Sequence, residues 1–190
     1  DIINEAFRVL RSNMDFMAGK DKGQNVFVLT SFNPGSGKSF LTMNIAMSFA
    51  IKKKRILVID GDLRHGSVSS YVDSPRIGLS DYLGNRVENW KEIIVADKKY
   101  DNLHILPIGT VPPNPTELLE DGKLATLIGA LRGEYDYIFI DCPPIDIVAD
   151  AQIIEKLADR TIFVVRSGLL DRGMLPELEN IYQEIGRAHV

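Results

Sequence analysis

The sequence predicts an α/β domain of three layers, with a mostly parallel central sheet flanked by helices on both sides. Five short apolar, β-rich runs alternate with stretches of helical spacing, the pattern of consecutive βαβ units. The runs are apolar on both faces, as in Val26-Phe27-Val28-Leu29, Ile56-Leu57-Val58-Ile59 and Ile138-Phe139-Ile140. A strand needs that only when helices cover both sides of its sheet. The 190 residues suit one domain on the usual scale of ~100–200 residues, and no linker or internal repeat divides them.

In chain order, Ile3, Phe7, Leu10, Met14 and Met17 recur at steps of three and four. They mark one stripe of an amphipathic helix over residues 1–19, with Gly19 at its end. Strands are expected at 26–30, 56–60, 103–107, 137–141 and 161–166, with helical stretches between them, so that 26–190 forms the core domain. Lys52-Lys53-Lys54-Arg55 falls at a helix C-terminus, where cations offset the helix dipole. Trp90, near Ile93 and Ile94, is read as packing, and Cys142 as a packed thiol. In open parallel sheets ligands bind at the carboxyl ends of the strands, which directs attention to the loops there.

Composition removes several function classes. Hydrophobic residues at 45% and charged residues at 25% exclude a disordered or low-complexity chain. Lys+Arg 22 against Asp+Glu 26 leaves a net charge of -4, without the basic excess of a nucleic-acid binder. The single Cys142 cannot form an internal disulfide, and His65, His104 and His189 have no metal-ligand spacing with it, so a cytoplasmic setting is expected. No apolar run approaches the ~20 residues of a membrane helix. The chain begins at Asp1 in place of Met and ends without a helix stop or final strand. An excised piece is expected, with any membrane segment outside it.

Directly after the first strand stands Ser31-Phe32-Asn33-Pro34-Gly35-Ser36-Gly37-Lys38-Ser39, followed by the helical run 40–46. Strand, glycine loop, Gly-Lys-Ser and helix form the context of a Walker A phosphate-binding loop, and the fold expected is that of the P-loop NTPases. Asn33, Pro34, Gly35, Ser36, Gly37, Lys38, Ser39 and Phe40 are the nucleotide-binding candidates. Gly35 and Gly37 let the backbone N–H groups turn toward phosphate, Lys38 reaches the β and γ phosphates of ATP, and the Ser39 hydroxyl can ligate Mg²⁺. The loop is a variant form, because the glycine expected five residues before Gly37 is Phe32. The bland alternative is a tight turn with a solvated lysine.

Two further strands end in acids: Asp60-Gly61-Asp62 after one, and Asp141 before Cys142-Pro143-Pro144 after another. Mg²⁺ takes one or two carboxylates together with phosphate oxygens and waters, so Ser39, Asp62 and Asp141 are the metal-side candidates. Asp60 is then left to accept a hydroxyl proton. Any one of these aspartates alone reads equally as a helix cap or turn former. Arg64 is open between a phosphate contact, a subunit contact and a surface ion pair.

Together these motifs resemble the cytoplasmic kinase domain of bacterial tyrosine kinases (BY-kinases), which regulate capsular and exopolysaccharide synthesis and export. The resemblance covers nearly the whole chain. Residues 57–64 are similar to the family's second Walker A-type motif, 135–144 to its Walker B segment, and 111–119, with Pro112-Pro113-Asn114-Pro115, to its proline-rich stretch. Glu5, Arg8 and Arg11 match a Glu-x-x-Arg-x-x-Arg pattern, which implies a homo-oligomeric ring in which one subunit phosphorylates its neighbour. On spacing alone Glu5 and Arg8 are equally a surface pair at i, i+3. The resemblance also implies a tyrosine-rich tail as substrate and a membrane adaptor, fused or separate. Tyr71, Tyr82, Tyr100, Tyr135, Tyr137 and Tyr182 are scattered, so the tail is expected to be missing from this piece, and the adenine-contacting residues are left unassigned.

The reading is therefore an ATP- and Mg²⁺-dependent protein-tyrosine kinase with Lys38, Asp60 and Asp62 as its catalytic set. One alternative is a partition or septum-positioning ATPase of the deviant-Walker class. Its signature lysine is replaced here by Asn33, with Pro34 after it. Another is a non-catalytic ATP-sensing subunit of a polysaccharide exporter.

Overall fold

The computed structural model describes residues 2–18, 23–145, 149–177, 179 and 180. The expected helix end at Gly19, the Ile3 side chain and the segment 181–190 lie outside the described residues. Among the described residues six strands form one sheet in the order β3-β4-β2-β5-β1-β6. They are β1 (Val26–Ser31), β2 (Ile56–Asp60), β3 (Val95–Ala96), β4 (Leu103–Leu106), β5 (Tyr137–Asp141) and β6 (Arg160–Val164). All neighbours run parallel except β3, which lies antiparallel to β4 at the edge. The sequence reading missed β3, whose two residues are too few to show a periodicity. It also ran the last strand to 166. Among the described residues β6 pairs with β1 alone, and it stops at Val164 where that ladder closes at Ser31↔Val164.

The helices α1 (Ile2–Ala18), α2 (Lys38–Ala50), α3 (Leu79–Leu83), α4 (Pro115–Glu120), α5 (Lys123–Leu131) and α6 (Ala149–Glu155) accompany the sheet. The two-faced apolar strands sort their side chains by the period of two. Phe27, Val58 and Phe139 join Met43, Ala46 and Phe49 of α2 and Met14 of α1 in one core. Val26, Leu57 and Ile138 join Leu124, Leu127, Ile128 and Leu131 of α5 and Ile154 of α6 in the other. The sheet thus separates two cores, as a three-layer domain requires.

The first core is aromatic at its centre. Phe49 lies 4.5 Å from Tyr137 and 5.6 Å from Phe139 between ring centroids, and Phe27 lies 5.8 Å from Phe139. The same core fastens α1, where Met14 is fully buried, the Tyr137 hydroxyl donates to Asp15 and the Arg11 guanidinium donates to the Ser48 carbonyl at 2.8 Å. Burial and the Asp15 contact both push the Tyr137 hydroxyl up from its ordinary pKa. The opposite face of α1 carries exposed Val9 and Phe16.

Because β2, β5 and β1 are consecutive in the sheet, their carboxyl ends form one rim. Asp60 sits opposite Asp141 in the β2–β5 register, and the glycine loop leaves β1 beside them. Phe139→Ala would remove a ring packed on three aromatic neighbours and is expected to cost about 3–5 kcal/mol in urea unfolding. Val9→Ala, on the exposed face, is expected to stay within roughly 0.5 kcal/mol of the parent.

Candidate active site

The loop between β1 and α2 takes its shape from glycine. Gly35 and Gly37 hold φ of 74° and 83°, and a Cβ at either would meet nothing within 4 Å, so the requirement is conformational and not spatial. Gly37 is the N-cap of α2 and supplies no side-chain cap, which leaves the first-turn N–H groups for an anion. The Asn33 carbonyl accepts from the hydroxyls of Ser31 at 3.0 Å and Ser36 at 2.7 Å, and Arg166 donates to the Gly35 carbonyl at 3.0 Å. Phe32, standing where the common motif has glycine, turns inward. It is 4% exposed and packs edge-on against Phe163 at 4.9 Å, so the departure serves the core.

Asp141 lies under this loop, fully buried. Lys38 Nζ stands 3.2 Å from Oδ1, the Ser39 hydroxyl donates to Oδ2 at 2.6 Å, and Thr42 Oγ1 is 3.2 Å from Oδ1. Burial raises its pKa, and the Lys38 charge with the hydroxyl bonds opposes the rise. The next residue, Cys142, has its thiol pushed well up by burial and is the inert packed group expected. Main-chain contact ties the second acidic strand end to the first, since the Gly61 N–H donates to the Asp141 carbonyl at 2.8 Å. A Cβ at Gly61 would stand 2.9 Å from that carbonyl oxygen, so only glycine permits the approach.

The structure treats Asp60 and Asp62 differently. Asp62 lines the cleft of about 560 Å³ together with Asn33, Pro34, Gly35, Ser36, Gly37, Lys38, Ser39 and Phe40. Its Oδ1 accepts the N–H groups of Arg64 at 3.2 Å and His65 at 3.3 Å, and His65 Nδ1 lies 3.0 Å from Oδ2. Asp60 is not on the cleft wall. It is fully buried, its Oδ2 accepts both the N–H and the hydroxyl of Ser69 at 2.7 Å, and its Oδ1 has no hydrogen-bond partner among the described residues. The sequence leaves Asp60 to accept a hydroxyl proton, and the structure places it beneath the turn 61–69. Desolvation is the largest influence on Asp60 and raises its pKa from 3.8 to about 7, against the lowering by Ser69.

The residues fit a nucleotide that brings its own Mg²⁺. A left-handed glycine cradle, a buried Lys38, the Ser39 hydroxyl and carboxylates at two strand ends are the donor set that Mg²⁺ shares with phosphate oxygens and water. Among the described residues there is no cluster of three or more His, Cys, Asp or Glu that could hold a metal ion. Sequence reasoning overlooked Thr42, although its position one turn after Lys38 made it legible. It also overlooked Ser69 and His65, and the pairing of Arg64 with Asp150 at 3.1 Å, which no local spacing announces. At the N-terminus, Glu5 and Arg8 form an exposed pair at 2.9 Å, while Arg11 is engaged with α2.

Residues 24–185 match the AAA domain family AAA_31. The chain is 34% identical over 170 residues to the tyrosine-protein kinase YwqD of Bacillus subtilis, covering 89% of this chain and 70% of that protein. It is 34% identical over 185 residues to the tyrosine-protein kinase CpsD of Streptococcus pneumoniae, covering 96% and 79%. This chain belongs to the bacterial tyrosine kinases. The kinase domain of the Escherichia coli tyrosine kinase ETK superposes on this kinase domain with TM-score 0.87 at 30% identity, covering 98% of this chain and 71% of that one. The septum site-determining protein MinD of Pyrococcus horikoshii, complexed with Mg-ADP, shares the fold at TM-score 0.73 and 25% identity, covering 87% and 66%. A longer relative, EpsB of Ralstonia solanacearum, is 36% identical over 98% of this chain, which spans 24% of it. Among the described residues no helix is long and apolar enough to cross a membrane.

The folded protein holds the Asp60 proton up to about pH 7, whereas the ordinary value is 3.8. The stability contributed by the protonated carboxyl is therefore complete below about pH 4, declines as pH rises, and is lost above about pH 7. Asp60→Asn cannot ionise. Its melting temperature without nucleotide is expected to exceed the parent's by more at pH 8 than at pH 5, a difference that thermal scans at the two pH values measure.

Proposed function

We propose that this kinase domain transfers the γ-phosphoryl group of ATP to tyrosine hydroxyls of a neighbouring copy, within a homo-oligomeric ring. The observation that carries the reading is the meeting of Lys38, Ser39 and Asp141 beneath the glycine loop, with Asp60 and Asp62 at the adjoining strand end. Phosphoryl transfer asks for positioning and charge neutralisation more than for covalent chemistry by the protein.

In this reading Lys38 and the loop N–H groups hold the β and γ phosphates. Ser39, Asp62 and Asp141 hold Mg²⁺ directly or through water, and Lys38 then exchanges its ion pair with Asp141 for the phosphates. The metal, when bound, neutralises charge on the transferring group. Asp60 takes the tyrosine proton on its unpartnered Oδ1. Its burial under residues 61–69 means that this turn must shift to admit the hydroxyl, which ties proton acceptance to an open form of the loop. Glu5, Arg8 and Arg11 form the subunit contact, with Val9 beside them on the exposed face of α1. A tyrosine-rich tail is the substrate, a membrane adaptor, fused or separate, is the partner, and the physiological output is regulation of capsular or exopolysaccharide synthesis. No nucleic-acid partner is part of the reading.

The likeness to MinD supports the ATPase alternative through the fold. Against it, the loop position of the deviant-Walker lysine carries Asn33, whose carbonyl organises the turn.

The test is phosphotyrosine formation on a tyrosine-rich peptide with Mg²⁺ and ATP. The parent is expected to transfer, Lys38→Met to lose both transfer and tight nucleotide binding, and Asp60→Asn to bind nucleotide while losing transfer by at least ~10²-fold. Hydrolysis without transfer by the parent would favour the partition-type ATPase, and binding without either reaction the sensor. Replacing Glu5, Arg8 and Arg11 together by alanine is expected to shift the light-scattering mass to that of the monomer.

A further inference from the structure

We infer that Arg64 is a positioning residue that holds Asp62 at the cleft by anchoring the acidic loop to buried Asp150. The inference rests on the reading of Asp62 as a metal-side group. Of the phosphate, subunit and ion-pair roles left open for Arg64, the geometry shows an ion pair, and its partner is buried. The Arg64 side chain is not on the cleft wall. Nε donates to Asp150 Oδ2 at 3.1 Å, and Nη2 donates to the Thr116 hydroxyl at 3.3 Å. That hydroxyl in turn donates to Asp150 Oδ1 at 2.6 Å. The three side chains close a ring, and Thr116 serves in it as acceptor and donor at once.

Asp150 gives the ring its consequence. Its side chain is 1% exposed, and a buried carboxylate is costly unless paired and hydrogen-bonded. Among the described residues its side-chain partners are Arg64 and Thr116. The guanidinium is thus bound to a fixed point formed by the first turn of α6 and the start of α4, two helices that pack together.

The backbone of the same residue holds Asp62. The Arg64 N–H donates to Asp62 Oδ1 at 3.2 Å, so the arginine grips the carboxylate with its main chain and the helices with its side chain. At the other end of the loop, the Gly61 N–H is bonded to the Asp141 carbonyl on β5 at 2.8 Å. Asp62 therefore lies between two anchors, one on the sheet and one on the helices. Loss of the second anchor leaves the loop free to carry Asp62 away from the cleft. The proline-rich stretch takes part through Thr116, two residues after Asn114.

The test measures binding of a fluorescent ADP analogue with Mg²⁺ and with EDTA, together with melting temperature, for the parent, Arg64→Met, Asp150→Asn and the double variant. Arg64→Met is expected to lose ~10-fold of the Mg²⁺-dependent gain in affinity, the scale on which outer partners of metal ligands act, while its affinity in EDTA is unchanged. Asp150→Asn, which keeps an acceptor for the guanidinium, is expected to lose less. The double variant should be no worse than Arg64→Met, as for members of one network. Arg64→Lys, with charge but no fork, should recover part of the gain. Equal losses with and without Mg²⁺, or losses that multiply in the double variant, would mean a merely structural pair and overturn the inference. Should Arg64→Met not fold, Thr116→Val carries the same comparison by opening the ring. A parent without any Mg²⁺-dependent gain overturns the reading of the cleft and this inference with it. A parental gain that Arg64→Met retains in full overturns the inference alone.

Discussion

Asp141 is a carboxylate at the end of a central strand, wholly buried, with one ammonium and two hydroxyls close to its oxygens. A charge in that position is tolerable only while those groups stay in place, and each comes from the first turn or so of α2. The glycine loop must therefore deliver α2 to the rim at a set height and angle. Lys38 is at once the counter-ion of this buried acid and the group proposed to meet phosphate, so the delivery of α2 sets both roles of the ammonium.

The packing around the rim serves that constraint. Phe49, on the last turn of α2, is locked among the rings of Tyr137 and Phe139, which fixes one end of the helix whose other end carries Lys38. Phe32 pulls the start of the loop into the core against Phe163 on β6. On the acidic side Gly61 lets β2 and β5 approach closely enough for a main-chain hydrogen bond beyond the register pair Asp60↔Asp141. Phe49, Tyr137 and Phe139 all belong to one of the two cores beside the sheet, so the site's geometry is inherited from the layers and not from the loops alone.

The acids of the Asp60-Gly61-Asp62 run show how that inheritance divides similar residues. Two positions apart on an extended chain, they would point the same way by the strand period, and that period alone does not tell them apart. In the folded protein the chain leaves the sheet between them. Asp60 remains in the last strand position and is roofed by Ser69, while Asp62 belongs to a turn and opens on the cleft. Burial under that turn is what raises the Asp60 pKa, since desolvation dominates there.

Much of the protein was legible in its residues. The two-faced apolar runs announce a covered parallel sheet, because no other arrangement hides both faces. Gly35, Gly37, Lys38 and Ser39 announce a phosphate cradle, because the backbone conformation and the charge it needs are encoded within nine consecutive residues. Local chemistry of that kind survives without knowledge of the fold. The burial of Asp60, the ring of Arg64, Thr116 and Asp150, and the inward turn of Phe32 are decided otherwise. Each depends on partners 9 to 131 positions away, as with Ser69, Asp150, Thr116 and Phe163. Whether a charged side chain meets water or a buried partner is set by the packing of layers, and only the tertiary structure supplies that.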